Sequence, residues 1–82
     1  MENLIITDVY EEEQNVKIEG YSGRWSALEK TEYNGAVYFW YENNRYGDAT
    51  CYLVGEWVDG ILMRVFETYD GLEQCLIDED II

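Results

Sequence analysis

Apolar and polar residues in this chain repeat mostly at period two, and the places where that period breaks predict its elements. Residues 4–10, Leu-Ile-Ile-Thr-Asp-Val-Tyr, are short and rich in β-branched side chains, which reads as a strand. Polar residues 11–15 follow, and then Val16-Lys17-Ile18-Glu19 alternates, with Val16 and Ile18 inward and Lys17 and Glu19 outward. These two segments are expected to form the first hairpin. Gly20 and Gly23 mark a break.

Residues 24–32 are ambiguous, because Trp25, Leu28 and Glu29 sit at helical spacing. Asn34-Gly35 decides the matter. A two-residue type I′ turn needs φ > 0 at both central positions, and this dipeptide tolerates it, so strands must flank it. The reading is a strand over residues 26–33 paired with one over 36–42. The second of these carries Val37-Tyr38-Phe39-Trp40-Tyr41, more large apolar groups than one buried face can use, so it is expected to lie centrally with cover on both sides.

A two-residue turn also sets the register. Tyr33 is expected opposite Ala36, Thr31 opposite Tyr38 and Glu29 opposite Trp40. On the other face Glu32 opposes Val37, Lys30 opposes Phe39 and Leu28 opposes Tyr41. Residues 43–48 read as a loop. Asp59-Gly60 is a second hairpin turn, within extended segments, that sets Val58 against Ile61, Trp57 against Leu62, Glu56 against Met63, Gly55 against Arg64, Val54 against Val65 and Leu53 against Phe66.

Near the end the period changes to that of a helix. Leu72, Cys75 and Leu76 form an apolar stripe, and Asp70 with Glu73 has the spacing of a capping box, predicting a helix over about residues 71–79. So short a helix needs a sheet to pack on. The fold class expected is α+β: an antiparallel sheet of five or six strands with one short C-terminal helix on one face, in a single domain spanning 1–82. One helix cannot cover such a sheet, so either the sheet curls into a half-barrel or a second copy of the chain forms a homodimer over the open face.

Composition changes the picture in one respect. The chain has 82 residues, 48% of them hydrophobic and 16% aromatic, enough for a core despite its length. Its charge, however, is extreme: 5 Lys and Arg against 18 Asp and Glu, a formal net charge of -13. Charge of that sign excludes direct binding of nucleic acid or an anionic membrane and favours a basic partner; the alternative is acidity kept for solubility alone. The first residues lack the basic and long apolar regions of a secretory signal, and no apolar run reaches the ~20 residues of a membrane span, so the expected location is cytoplasmic. Cys51 and Cys75 have no paired-motif spacing and read as buried thiols acting as small hydrophobes.

Candidate chemistry is thin. The chain has no histidine, and Ser22 and Ser26 lack a visible activating base. Chance carboxylate pairs are guaranteed among 18 acids, so they do not single out a glycosidase-like site. Neither a phosphate-cradling glycine loop nor a calcium-loop spacing occurs, and Asp78-Glu79-Asp80 reads as a solvated terminus rather than a cation site. No catalytic, metal or cofactor site is expected, and the protein is not expected to be an enzyme.

What remains is a surface. Asp8 with Glu11, Glu12 and Glu13, then Glu29, Glu32, Glu42 and Asp48, and finally Asp78, Glu79 and Asp80 are the candidate partner-binding acids, with Tyr38 and Trp40 as rings among them. Alternate residues on a strand lie ~6.6 Å apart, a scale near that of phosphate spacing along nucleic acid. Carboxylates among tyrosines suit an arginine-rich partner, which pairs with the acids and stacks on the rings.

In its small size, its acidity and the runs Glu11-Glu12-Glu13 and Asp78-Glu79-Asp80, the chain resembles the anti-CRISPR and anti-restriction DNA mimics of phages and mobile elements. Those proteins share no common motif, so no residue role carries over. The resemblance implies a non-catalytic inhibitor that occupies the basic nucleic-acid or PAM-reading surface of a bacterial defence effector. The alternative is a small structural or regulatory interaction module.

Overall fold

In the computed structural model, residues 4–9, 15–43 and 50–82 are described. Glu11, Glu12, Glu13, Asp48 and most of the loop expected after residue 43 lie outside the described residues. The elements are strands β1 (Thr7–Asp8), β2 (Asn15–Ile18), β3 (Tyr21–Tyr33), β4 (Ala36–Asn43), β5 (Cys51–Val58) and β6 (Ile61–Glu67), followed by helix α1 (Leu72–Asp78). All strand pairings are antiparallel, and the six strands form one sheet that does not close. The architecture is α+β and mostly sheet. No helix of the described residues is long and apolar enough to cross a membrane.

Both hairpin turns form as their sequences require. Asn34 and Gly35 have φ of 55° and 88°, and Asp59 and Gly60 have φ of 52° and 80°. β4 lies between β3 and β5, in the centre of the sheet. The segment with helical spacing is a strand, and β3 is longer than expected because it starts at Tyr21.

The expected β1–β2 hairpin does not occur. β1 and β2 instead pair with β3 along the same edge, Thr7 and Asp8 opposite Lys30 and Glu29, and residues 15–18 opposite the first half of β3. The physical reason is length: a 13-residue strand offers an edge that two short strands can share, and the turn at Glu19-Gly20 joins β2 directly to it. Beyond β1, the Thr31 hydroxyl donates to the Ile5 carbonyl at 2.8 Å, tying the start of the described chain to that edge.

The registers hold from each turn to the first bulge. From Tyr33–Ala36 to Glu29–Trp40 the pairs are as expected, but Leu28 is then bulged out and Tyr41 faces Ala27 instead. In β6 the extra residue is Met63, so Glu56 faces Arg64, Gly55 faces Val65, Val54 faces Phe66 and Leu53 faces Glu67. Each bulge bends its strand and raises the local twist.

Two clusters of buried residues lie on the two faces. One joins α1 to the sheet: Leu72, Cys75 and Leu76 of the helix pack with Ala36, Tyr38 and Val54 of the strands. On the other face Ile18, Trp25, Tyr41 and Leu53 form a second cluster, with Val16 of β2 and Val65 of β6 packed against it. Side chains from strands at both margins thus meet over one patch, which requires the sheet to curl around that face.

Gly55 is part of that packing. A Cβ there would meet the Tyr41 ring and a Leu62 methyl at 3.1 Å and the Trp57 indole nitrogen at 3.3 Å. The absent side chain leaves room for the Trp57 N–H to donate to the Tyr41 hydroxyl at 3.0 Å.

The helix departs from its expected cap. Its N-cap is Gly71, at φ 97°, with no side-chain cap hydrogen bond. The Asp70 amide, which Glu73 was expected to accept, donates instead to the Thr68 hydroxyl at 3.2 Å. At the other end Asp80 N–H reaches the Ile77 carbonyl and Ile81 N–H the Leu76 carbonyl, with Asp80 at φ 60°. This is the Schellman arrangement, with Asp80 in the left-handed position usually held by glycine. Ile81 then packs on the cluster beneath the helix.

Cys75 is a free thiol. Cys75 is buried as expected, and burial, with Glu79 and Asp78 nearby, pushes its thiol up to about 11. Cys51 is exposed, a correction that follows from its place at the very start of β5.

Candidate functional site

Most of the described candidate acids lie on the helix-bearing side of the sheet. In the register, Asp8 opposes Glu29, Glu29 opposes Trp40, and Glu42 lies two residues along β4 from Trp40 on the same face. α1 lies over that face, and its exposed residues include Glu73 and Asp78, with exposed Glu79 and Asp80 just beyond. Residues 65–82 contain no lysine or arginine. Glu32 is exposed on the opposite face, across from Val37.

Two of these placements cost stability. Like charges directly opposite on paired strands repel, as Asp8 and Glu29 do. Asp78, Glu79 and Asp80 stand at the negative end of the helix macrodipole, where no basic residue occupies the last turn. Exposure and water keep each cost small, but both have the same sign.

Of the two rings chosen from the sequence, Trp40 is partly buried and stacks on Tyr52, with centroids 5.2 Å apart. Tyr38 is only 3% exposed and belongs to the core, a correction to its reading as a surface ring. It faces Glu56 across β4 and β5, and α1 packs over it.

Glu56 is the polar residue that sequence reasoning missed. Its carboxylate accepts from the Tyr38 hydroxyl at 2.6 Å and from the Arg64 Nε and Nη2, both at 2.8 Å. The fork of Arg64 holds Glu56 down at about 2, with the Tyr38 hydroxyl assisting against the cost of burial. Burial, then Glu56, pushes Tyr38 up to about 12, and the guanidinium of Arg64 is shifted upward in turn. Arg64 also lies over the Phe66 ring, 5.1 Å from its centroid. A carboxylate so firmly ionised and a phenol so firmly protonated exchange no proton near neutrality. Their chemistry is structural: they satisfy a buried charge.

The curled face carries two half-open grooves. One, of about 840 Å³, lies near the two hairpin turns, with Val37, Phe39 and Trp57 lining it among charges of both signs, Lys30, Glu32 and Asp59. The other, of about 630 Å³, lies at the far end of the sheet and is lined by Tyr21, Trp25, Tyr52 and Tyr69, with Glu67 the one charged side chain among its described lining residues. Tyr21 meets Trp25 edge-on, and Tyr52 meets Tyr69 edge-on at 6.2 Å. No local motif announces this second groove, since its rings come from β3, β5 and the segment after β6. Among the described residues, no three His, Cys, Asp or Glu side chains are grouped to hold a metal ion.

Gly23 shapes the rim of that groove. It has φ 88°, and a Cβ there would fall 2.6 Å from the Asn43 amide nitrogen, which donates to the Ser22 carbonyl at 2.9 Å.

A family model described as large polyvalent protein-associated domain 18 matches residues 6–79. No curated protein and no solved structure matches the chain.

Proposed function

The chain belongs to the large polyvalent protein-associated domain 18 family, and from that premise we propose that it is a non-catalytic interaction domain of phage or mobile-element origin whose acidic, helix-bearing face docks on a basic protein surface. The observation that carries this reading is the collection of like charge on one side: Asp8 against Glu29 on the strands, and Asp78-Glu79-Asp80 at the helix end least suited to them. A fold selected for stability alone would disperse these groups, whereas a basic partner relieves the repulsion when it binds.

In its sharper form the partner is the nucleic-acid-binding channel of a bacterial defence effector, met inside the cell. The domain then inhibits by competing with DNA, sterically and by charge. Association is fast and falls with salt, because exposed charges are screened over a Debye length of ~8 Å at physiological ionic strength.

The test is capture of binding partners from bacterial lysate at low and high salt, followed by affinity measurements with the partner obtained. Reversal of Asp8, Glu29, Asp78 and Glu79 to lysine should weaken binding at least tenfold, while Glu32→Lys on the opposite face should leave it nearly unchanged. Failure to recover any basic nucleic-acid-binding protein at low salt, or equal loss with Glu32→Lys, overturns the reading.

A further inference from the structure

The groove beside the two hairpin turns is built on two neighbouring rows of the sheet. In one row Lys30, Phe39 and Gly55 stand side by side on β3, β4 and β5; in the next, two residues along each strand, stand Glu32, Val37 and Trp57. All six lie on the curled face, since Phe39 packs against the Tyr41 cluster there and alternate residues of a strand share a face. All but Gly55 line the groove, of about 840 Å³, and Ile5, 79% exposed, lines it too.

The two rows are complementary to each other. Lys30 and Glu32 have opposite charge, Phe39 is large where Val37 is small, and Gly55 has no side chain where Trp57 has the bulkiest. A two-fold axis running across the strands, midway between the rows, exchanges one row with the other. It lays Lys30 over Glu32, Phe39 over Val37 and Trp57 over Gly55 of a second copy, each contact made twice. Side chains of two sheets stacked face to face, ~10 Å apart, interdigitate in this way.

Charge selects the same face. The acids on the helix-bearing side repel another copy of a chain that carries -13, whereas these two rows hold one cation and one anion. Lys30 and Glu32 form no ion pair with each other within one copy, so both are available to a second. Asp59, the third charged residue of the groove, stands in the turn beyond the two rows.

We propose that the curled face at its hairpin end is an interface between two copies of this chain, in which Lys30 of each copy pairs with Glu32 of the other over a shared apolar floor of Val37, Phe39 and Trp57. Both acidic, helix-bearing faces then point outward, so the dimer stands independently of the docking proposed for them.

The experiment is sedimentation equilibrium of the full chain from micromolar to millimolar concentration at physiological ionic strength, with isotope-filtered NMR on a mixture of labelled and unlabelled chains. Expected is a monomer–dimer equilibrium with intermolecular contacts between the Phe39 ring and the Val37 methyls. Lys30→Glu and Glu32→Lys change exposed side chains, which leaves the fold intact by circular dichroism, and each sets like charges together at two symmetry-related places. Each should weaken dimerisation at least about tenfold. The double variant restores both pairs with their signs exchanged and should dimerise within about threefold of the wild type. An equimolar mixture of the two single variants forms the same two pairs and should dimerise again. A chain still monomeric at millimolar concentration, intermolecular contacts on the helix-bearing face, or a double variant no stronger than the single ones would overturn the proposal.

Discussion

Glu56 and Arg64 face each other across β5 and β6 because Met63 is bulged out of the ladder one residue before Arg64. Without that bulge Glu56 would oppose Met63, and the buried carboxylate would keep only the Tyr38 hydroxyl. Replacing Arg64 by Met should therefore destabilise the fold by about 1–2 kcal/mol, less than a fully buried pair because Arg64 is half exposed. Chemical denaturation at neutral pH checks the value.

The pH dependence of that pair has a definite sign. Glu56 is held at about 2, below its ordinary 4.5, so its contribution is fully present above about 4.5 and is lost as pH falls toward 2. The difference in stability between the wild type and Arg64→Met should shrink across that interval. A difference that stays constant from pH 5 to pH 2 would show that Arg64 does not act through the ionised carboxylate.

Tyr38 and Tyr41 carry the opposite dependence. Burial pushes both up to about 12 from an ordinary 10, so above pH 10 the unfolded chain loses those protons first and stability falls as pH rises toward 12. Absorbance at alkaline pH should show a late-ionising component, and Tyr41→Phe should remove part of it.

Gly55 is fixed by its neighbours. Gly55→Ala would place a methyl at 3.1 Å from the Tyr41 ring, and Tyr41, only 1% exposed, has no room to retreat. The expected cost is about 1–2 kcal/mol in a thermal or chemical melt.

Asp80 sits where glycine is the better residue. Asp80→Gly removes both the Cβ from a left-handed position and a carboxylate from the negative end of α1, and should stabilise the fold by about 0.5–1 kcal/mol. Asp80→Asn keeps the Cβ and removes only the charge, so its gain should be smaller.

Legibility in the sequence followed the range of the interaction concerned. Asn34-Gly35 and Asp59-Gly60 act through their own backbone angles, so both hairpins and the first pairs beside them could be read directly. The helix stripe of Leu72, Cys75 and Leu76 was equally local. Leu28 and Met63 are bulged and carry no local mark in the sequence, so every register beyond them shifted by one. The pairing of β1 with β3 depends on the full length of β3, which the apparent break between Gly20 and Gly23 concealed.

The candidate surface divides in the same way. Exposed acids on the helix and on β1 were visible by type, but Tyr38 could not be told from a surface tyrosine until α1 was placed over it. Glu56 gained Arg64 as a partner only through the Met63 bulge. Tyr21, Tyr52, Glu67 and Tyr69 come together from distant parts of the chain, and only the high aromatic content hinted that such a groove could form.

β6 is one margin of the sheet among the described residues, and it exposes Ile61 at 62% and Met63 at 57%. A regular marginal strand with such residues exposed is a template on which further chains add, one after another, toward fibres. The kink at Met63 interrupts the row of amides such growth would copy, and a charge of -13 keeps approaching chains apart. One inserted residue thus both seats the buried ion pair and protects the molecule against polymerisation, so shortening β6 by Met63 would expose the protein to aggregation most severely where salt has screened its charge.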